Sequence, residues 1–333
     1  MNVEKIKQTP PPGVMGSLRV GFDIVSSHIW LILPPILFDL FLWLGTRLSA
    51  GKLYAATVAE MIAFLKSRPV PADQMQILLD SIDSFNRFNW LSALRTFPIG
   101  IPSLEAFVLP ATGSPALTPF GLRNAIEIES SLGLLGWTTL LIFIGWVGGG
   151  VYFRWVSMTV LGESNANITF ARAVFQSVIL SLLWAFCLIV ILTPTIILVG
   201  LVSYINAALA NGLLFFIAIL AYWLIVPFFF MPHGIFAQRQ NALHSLYSSL
   251  RLTRFTLPSS GLFVFTSILL SKGLSLLWSV PESDSWMRLV GISGHAFISA
   301  TILAASFVYY RDMNAWLRNF LDQIRSQPSA PIN

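Results

Sequence analysis

Two charged residues interrupt long apolar stretches of this sequence, Asp39 and Lys272. A charge at the centre of a bilayer costs about 2.5–3.5 kcal/mol on insertion scales, so a residue of this kind usually has a specific role. When the segment around Arg19 is superposed on that around Arg251, Asp39 falls one residue from Lys272. We therefore predict an intramembrane charge pair between Asp39 and Lys272. Two alternatives are that the pair only fixes helix register, or that Lys272 extends its long stem to the interface.

A second pattern that could do chemistry is Gly291-Ile292-Ser293-Gly294, followed directly by His295. The tetrapeptide matches the nucleophile motif of rhomboid intramembrane proteases, but a serine nucleophile needs a base within about 3 Å. In a helix, a residue two positions further on points about 200° around the axis, so His295 cannot serve Ser293. The other histidines are predicted at the opposite face of the membrane. We therefore assign no catalytic residue and expect a protein that is not an enzyme.

Cofactor and metal motifs are missing from the sequence. It contains no phosphate-binding Gly-Lys-Ser/Thr loop, no His-Glu-x-x-His helix and no Cys-x-x-Cys. Cys187 is its only cysteine, so one chain cannot assemble a disulfide framework or a thiolate metal site. We predict no cofactor and no metal.

The composition indicates lipid as the solvent. Of 333 residues, 55% are hydrophobic and 11% are charged, whereas soluble domains carry about 25% charged residues. The net charge is +5, but the basic residues cluster at the ends of apolar stretches. This distribution argues against a nucleic-acid partner.

Spanning a bilayer requires roughly 20 apolar residues, because the hydrocarbon core is about 30 Å thick and a helix rises about 1.5 Å per residue. Six stretches of the sequence meet this requirement. We therefore predict an all-α polytopic bundle of about six transmembrane helices, with amphipathic interfacial helices and one helical extracytoplasmic insert. The predicted spans are 29–48, 132–156, 174–202, 209–231, 259–279 and 288–310.

Lysine and arginine lie mostly in alternate loops, and basic residues are retained on the cytoplasmic side. The N-terminal tail, the second and fourth loops and the C-terminal tail hold most of them, whereas the third and fifth loops offer only Arg288. This pattern predicts a multi-pass protein of the cell membrane with both termini in the cytoplasm. It divides the chain into a tail with an amphipathic helix (1–28), the first span (29–48), the insert (49–131), five further spans (132–310) and a second tail (311–333).

Three short amphipathic helices, at 14–28, 163–176 and 239–256, are predicted in the cytoplasmic interface. An arginine near an anionic membrane surface contributes about 1 kcal/mol to binding. We therefore regard five arginines as candidate contacts of lipid head groups: Arg19, Arg172, Arg239, Arg251 and Arg254.

The insert contains two segments with apolar residues at helical spacing, Ala55 to Lys66 and Ala72 to Leu94. Phe97 to Leu122 is rich in proline and glycine, which predicts an irregular hydrophobic strap. The insert is interpreted as a cap on the membrane surface or on the bundle, with a ligand-binding lid as the alternative. Gly145 and Gly149 in the second span have the small-xxx-small spacing that lets membrane helices approach closely.

A weak internal repeat divides the chain into three units, each an amphipathic helix leading into two spans. Ser17-Leu18-Arg19 precedes the first span and Ser249-Leu250-Arg251 the fifth. With the segments 17–23 and 232–251, these residues resemble bacterial multi-pass proteins related to the membrane domain of glycerophosphoryl diester phosphodiesterases. The resemblance implies a helical membrane bundle with surface-lying connecting helices. It implies no hydrolase activity, because the chain has no room for the soluble catalytic domain.

These observations favour a non-enzymatic membrane protein, a scaffold or accessory partner of other membrane components. The alternative is a permease-like carrier of a small or amphiphilic solute. A carrier needs a polar, hydrated cavity near Asp39 and Lys272, whereas a scaffold needs a packed core and an exposed apolar flank. The expected partners are the lipid bilayer and either other membrane proteins or further copies of the chain.

Overall fold

The computed structural model describes residues 11–65, 72–107, 117–162 and 169–325. These residues form nine α-helices, three short 3-10 helices and four very short strands. The α-helices are α1 Val14–Ser27, α2 Leu33–Leu44, α3 Gly51–Leu65, α4 Ala72–Arg87, α5 Ser131–Leu161, α6 Phe170–Ile205, α7 Ala207–Gln238, α8 Ala242–Trp278 and α9 Arg288–Arg325. The 3-10 helices are Ile29–Ile32, Trp90–Leu94 and Glu105–Phe107, and the strands are β1 Arg47–Ser49, β2 Leu117–Thr118, β3 Gly121–Leu122 and β4 Ala125–Glu127.

Five helices, α5 to α9, are long and apolar enough to cross a membrane. α1 and α2 count as a sixth span only when they are taken together, because the chain bends by 99° between them. The predicted all-α polytopic bundle is therefore confirmed as a fold class. The protein is an integral membrane protein in a lipid environment.

Several helix ends differ from the predicted bounds. α2 ends at Leu44, whereas the first span was expected to reach 48, and α9 continues past 310 to Arg325. The predicted interfacial helix at 239–256 and the fifth span are the two parts of α8, which meet at a kink where Thr256 has non-helical backbone and Pro258 follows. Residues 163–168 lie outside the described part, and 170–176 are the first turns of α6.

One insert helix is shorter than predicted because a side chain stops it. α4 ends at Arg87 instead of Leu94. Asn89 then caps the 3-10 helix, since its Oδ1 accepts a hydrogen bond from Leu91 N at 3.2 Å, and it also accepts one from Leu48 N at 3.1 Å. The second bond ties this corner to β1, which pairs in parallel with β4.

By its internal contacts the chain divides into two compact units. Unit 1 comprises Met1–His28, Arg154–Leu270 and Thr301–Asn333, and unit 2 comprises Ile29–Phe153 and Ser271–Ala300. The core of unit 1 is an aromatic stack in which the rings of Phe263 and Tyr309 lie 4.3 Å apart and that of Phe230 lies 5.8 Å from Tyr309. Gly21 of α1 packs so closely on α9 that an added Cβ would stand 2.7 Å from Ala305 Cβ.

Within unit 1, α7 contains Pro227 and Pro232, and a proline removes a backbone hydrogen bond from a helix. Two serines of α8 bond to carbonyls in this part of α7: Ser249 Oγ donates to Pro227 O and Ser245 Oγ to Met231 O. These two hydrogen bonds join α8 to α7 beside its two prolines. These serines belong to the segment that carries the family resemblance, so its residues have a packing role here.

Unit 2 contains the described insert helices, α2, most of α5 and the turn between α8 and α9. One of its hydrophobic clusters joins β1 to α5 through Leu48, Ile128 and Leu141. Another contains Trp43, Leu104 and Ile292. The second cluster surrounds the polar residues described next.

Candidate functional site

Asp39 lies in α2 and is fully buried. Its carboxylate accepts three hydrogen bonds from the insert: from Ser103 Oγ at 2.5 Å, from Leu104 N at 3.0 Å and from Glu105 N at 3.1 Å. Ser103 Oγ in turn accepts a bond from Ala106 N at 3.0 Å. Asp39 thus fastens the start of a 3-10 helix of the insert to α2.

The segment that Asp39 holds has no regular hydrogen bonding of its own. Residues 98–104 are neither helix nor strand, yet Ile99, Ser103 and Leu104 are buried. A buried backbone N–H without a partner is costly, and irregular backbone survives at membrane depth only where protein groups satisfy it. The buried carboxylate supplies those acceptors, which gives a physical reason for an acidic residue inside an apolar stretch.

Two glycines of α5 let the insert run along that helix. A Cβ at Gly145 would stand 2.4 Å from Leu94 O, and a Cβ at Gly149 would stand 2.5 Å from Gly100 Cα. Gly145 follows Ser131 by 14 residues, which is about 21 Å along a helix axis. Gly145 and Gly149 thus allow a close approach, as predicted, but the group that approaches them is the backbone of the insert and not another helix. The sequence predicted a strap over 97–122. From here on, the strap means residues 94–107.

A buried ion pair holds the strap from its other side. Arg288 Nε donates to Glu105 Oε1 at 2.6 Å, and the two side chains are only 2% and 8% exposed. Arg288 Nη1 also donates to the carbonyls of Ser279 and Pro281, at 2.9 and 2.8 Å. Arg288 therefore joins the strap to the turn that connects α8 and α9.

Trp43 adds a further link to this turn. Its Nε1 donates to Ser283 O at 2.7 Å, and its ring meets that of Trp286 edge to face at 6.1 Å. A second arginine of the insert, Arg123, donates from Nε to Gly45 O at 2.7 Å and from Nη2 to Leu42 O. Because these carbonyls end α2, Arg123 caps that helix. Burial lowers the pKa of Arg123 to about 10, with the neighbouring charge of Arg47 acting in the same direction.

His295 completes the cluster. Its Nδ1 lies 3.9 Å from Asp39 Oδ2, and its Nε2 lies 3.3 Å from Ser299 Oγ one turn further along α9. The glycines of the rhomboid-like motif have a packing role, because a Cβ at Gly291 or Gly294 would stand 2.2 or 2.8 Å from atoms of Trp278. Ser293 is exposed.

Ser299, His295 and Asp39 follow the order nucleophile, base, carboxylate that serine hydrolases use. The distances do not allow hydrolase chemistry, since the 3.9 Å between His295 Nδ1 and Asp39 Oδ2 is too long for a hydrogen bond. Asp39 is moreover occupied by three donors of the strap. The arrangement holds a loop in place, because Asp39 binds the backbone of the strap and Arg288 binds the side chain of Glu105. We call Asp39, Ser103, Glu105, Arg288 and His295 the latch.

Other charges act on the latch from within unit 2. Burial lowers the pKa of Arg95, whereas the negative charge of Asp39 acts in the opposite direction. Lys272 is close enough for its charge to act on His295. A direct Asp39–Lys272 contact stays a prediction, while the hydrogen bonds that the structure gives Asp39 come from the strap.

The five arginines proposed as head-group contacts all lie in unit 1 and are all exposed. Arg172 Nη2 donates to Arg239 O at 2.8 Å and to Asn241 Oδ1 at 3.2 Å. Arg239 has a left-handed backbone, with a φ of 55°, directly after α7. Arg172 thus holds the corner between α7 and α8.

Sequence reasoning singled out Asp39 but missed its partners Ser103 and Glu105, and it missed the ion pair of Glu105 with Arg288. The one signal for Arg288 was that it is the only basic residue of the predicted short third and fifth loops. Among the described residues, no group of three or more His, Cys, Asp or Glu side chains could hold a metal ion.

The fold and the latch define a polytopic helical membrane protein whose insert packs against α2, α5 and the turn between α8 and α9. No protein-family model, curated protein or solved structure matches the chain. The resemblance to the membrane domain of glycerophosphoryl diester phosphodiesterases stays a prediction.

Proposed function

We propose that this membrane protein is a non-enzymatic scaffold or accessory partner of other membrane proteins, and that α6 and α7 form the surface that meets them. The proposal rests chiefly on α6. Of the most apolar 18-residue window of this helix, no part is buried in the described protein. Ile189, Ile196 and Leu201 are 64%, 67% and 63% exposed.

The interior of unit 2 supports the same proposal. A carrier needs a hydrated polar site that a solute can reach, but Asp39 is 0% exposed and its oxygens already bind the strap. Arg288 is likewise occupied by Glu105 and two carbonyls. A buried polar cluster whose carboxylate is already bound by the strap, together with an exposed apolar flank, fits a scaffold better than a carrier.

The alternative function is a permease-like carrier. One observation favours it: the buried cluster of ionisable side chains in which His295 Nδ1 faces Asp39 Oδ2 at 3.9 Å without a hydrogen bond. Ionisable residues inside membrane proteins often mark ion or solute pathways. Transport in this case would require the strap to release Asp39.

Photo-crosslinking in cells tests the scaffold function. A benzophenone amino acid replaces Ile189 or Ile196 on α6, and Leu269 on α8, which is 59% exposed, serves as the matched control. We expect protein-sized adducts from the two α6 positions and only lipid adducts from position 269. Equal adducts at all three positions would contradict the proposal.

The absence of enzymatic activity has its own test. A fluorophosphonate probe reacts with serines that a base activates, so the purified protein should remain unlabelled at Ser299 and Ser293. An adduct that disappears in Ser299→Ala but persists in Ser293→Ala would overturn the non-enzymatic part of the proposal.

A further inference from the structure

Unit 1 contains a cavity of about 220 Å³ between the start of α8 and the end of α9. Three lining residues of α8, His244, Ser248 and Arg251, recur every three or four positions and so share one face of the helix. Asn314 and Arg318 of α9 are four residues apart and line the cavity from the other helix. The cavity is thus built by two helices, each of which contributes an arginine.

The polar side of the cavity carries positive charge. None of its nine described lining residues is acidic, and two of them, Arg251 and Arg318, are basic. Arginine binds phosphate oxygens through a planar fork of N–H donors. Ser248, Asn314 and Gln240 also line the cavity and offer hydroxyl and amide groups for hydrogen bonding.

Neighbouring hydrogen bonds hold several of these groups in place. Ser248 Oγ donates to Gln240 Oε1 at 2.7 Å, and Gln240 Nε2 donates to Gln238 Oε1 at 2.6 Å. Arg318 is anchored by its Nε, which donates to Asn314 O at 3.3 Å. Such anchoring lowers the entropy lost when a ligand binds.

The remaining wall is apolar, formed by Leu252, Leu317 and Leu321. Next to it, α8 exposes Leu243, Tyr247 and Leu250, at 65%, 64% and 45%. Cationic donors beside aliphatic side chains match an amphiphile with a phosphate group and hydrocarbon tails. A small inorganic anion has no apolar part that could pack against the leucines.

We propose that this cavity binds the phosphate head group of an anionic phospholipid, with Arg251 and Arg318 as its charged ligands. Arg251 was already a candidate head-group contact on charge alone. The cavity adds Arg318, His244 and Asn314 as partners and separates Arg251 from arginines that face the lipid surface without a built site. The site is independent of the scaffold function.

Native mass spectrometry of the full-length protein in mild detergent tests the site. The probes are dioctanoyl phosphatidic acid, dioctanoyl phosphatidylcholine and inorganic phosphate, each titrated separately. The test variant is Arg251→Gln/Arg318→Gln. The matched control is Arg254→Gln/Arg311→Gln, which removes the same charge from exposed positions of the same two helices outside the cavity.

We expect the test variant to bind phosphatidic acid about tenfold or more weakly than the native chain, because each arginine supplies charge-assisted hydrogen bonds. The control variant should bind within about twofold of the native chain, since Arg254 and Arg311 do not line the cavity and act on a ligand there only through screened solvent. Each single variant, Arg251→Gln or Arg318→Gln, should show an intermediate loss.

Four outcomes would overturn the proposal. Equal losses in the test and control variants would indicate general surface attraction. Equal binding of phosphatidylcholine would remove the requirement for net negative charge. Inorganic phosphate binding as tightly as phosphatidic acid would assign the cavity to the free ion. Unchanged binding in the test variant would place the lipid elsewhere.

Discussion

At the scale of single residues, Asp39 shows how a costly charge can be retained in a membrane protein for its hydrogen bonds. Its two oxygens accept from Ser103, Leu104 and Glu105, so the carboxylate replaces the acceptors that a regular helix would have provided to the strap. Removing such an acceptor leaves buried donors unsatisfied, at about 1–3 kcal/mol each. The role of Asp39 is structural, so replacing even one of its carboxylate oxygens should lower the stability of the fold.

The replacement Asp39→Asn tests this role. Asparagine keeps one oxygen, but its NH₂ group would face the N–H of a neighbouring donor. We expect a loss of about 1–3 kcal/mol in the free energy of unfolding, measured by tryptophan fluorescence in mild detergent. Asp23→Asn on α1, where the side chain is exposed, should change little. Equal effects of the two changes would remove Asp39 from the latch.

The ion pair between Arg288 and Glu105 gives a second prediction at this scale. Breaking a buried pair from one side costs about 3–5 kcal/mol, because the other charge stays buried without compensation. We expect that loss from Arg288→Met, and a partial recovery in Arg288→Met/Glu105→Leu, in the same unfolding measurement. Arg311 and Asp312, 49% and 40% exposed, form the control pair, for which Arg311→Met should cost at most about 1 kcal/mol. No recovery in the double variant would argue against direct coupling.

At the scale of the elements, the strap changes how the insert is understood. The sequence predicted an irregular hydrophobic segment over 97–122 after two helices; residues 98–104 are irregular, whereas Glu105–Phe107 form a 3-10 helix and Leu117–Thr118 and Gly121–Leu122 are short strands. The insert was expected on the membrane surface or on the bundle, and the contacts of the strap with α5 fit the second position, since the backbone of Leu94 and Gly100 lies against Gly145 and Gly149. The strap is packed against a spanning helix at glycines where a side chain would collide with it.

Replacing one of these glycines tests the packing. In Gly149→Ala the new Cβ would lie 2.5 Å from Gly100 Cα, and overpacking of this kind costs about 1–3 kcal/mol. Gly136→Ala, on the same helix but with nothing within 4 Å of the added Cβ, should be neutral or stabilising by up to about 1 kcal/mol. Thermal unfolding of the two variants measures the difference. A neutral Gly149→Ala would mean that the strap does not lie against α5.

The element scale also shows what could be predicted from the sequence and what could not. Length and apolarity located the stretches that form α5 to α9, because lipid imposes one requirement on every spanning helix. The partners of Asp39 could not be predicted, since Ser103 and Glu105 are more than sixty residues away and no periodic pattern links them. The break at Asn89 depends on a contact with Leu48 that has no local signal. The spanning stretches could therefore be predicted from local sequence, whereas contacts between residues far apart in the sequence could not.

At the scale of the whole molecule, the number of times that the chain crosses the membrane depends on α2. α2 has 12 residues, about 18 Å along its axis, which is less than the roughly 30 Å of a hydrocarbon core. The 3-10 helix Ile29–Ile32 before it adds length. Helices shorter than the bilayer are accommodated by local thinning and by flanking residues. The basic residues favour six crossings, with both termini on the cytoplasmic side.

Cysteine accessibility decides between five crossings and six. In a Cys187→Ser background, single cysteines are placed at Ser26 before the bend, at Gln76 in the insert and at Asn319 in the last part of α9, all of which are exposed. With six crossings, a membrane-impermeant maleimide applied to intact cells labels position 76 alone, and permeabilised cells are labelled at all three. With five crossings, α2 does not pass through the membrane, so positions 26 and 76 share one side and position 319 lies on the other. Joint labelling of 26 and 76 in intact cells would therefore overturn the six-span arrangement, and with it the cytoplasmic placement of the N-terminus, while the contacts within each unit would stand.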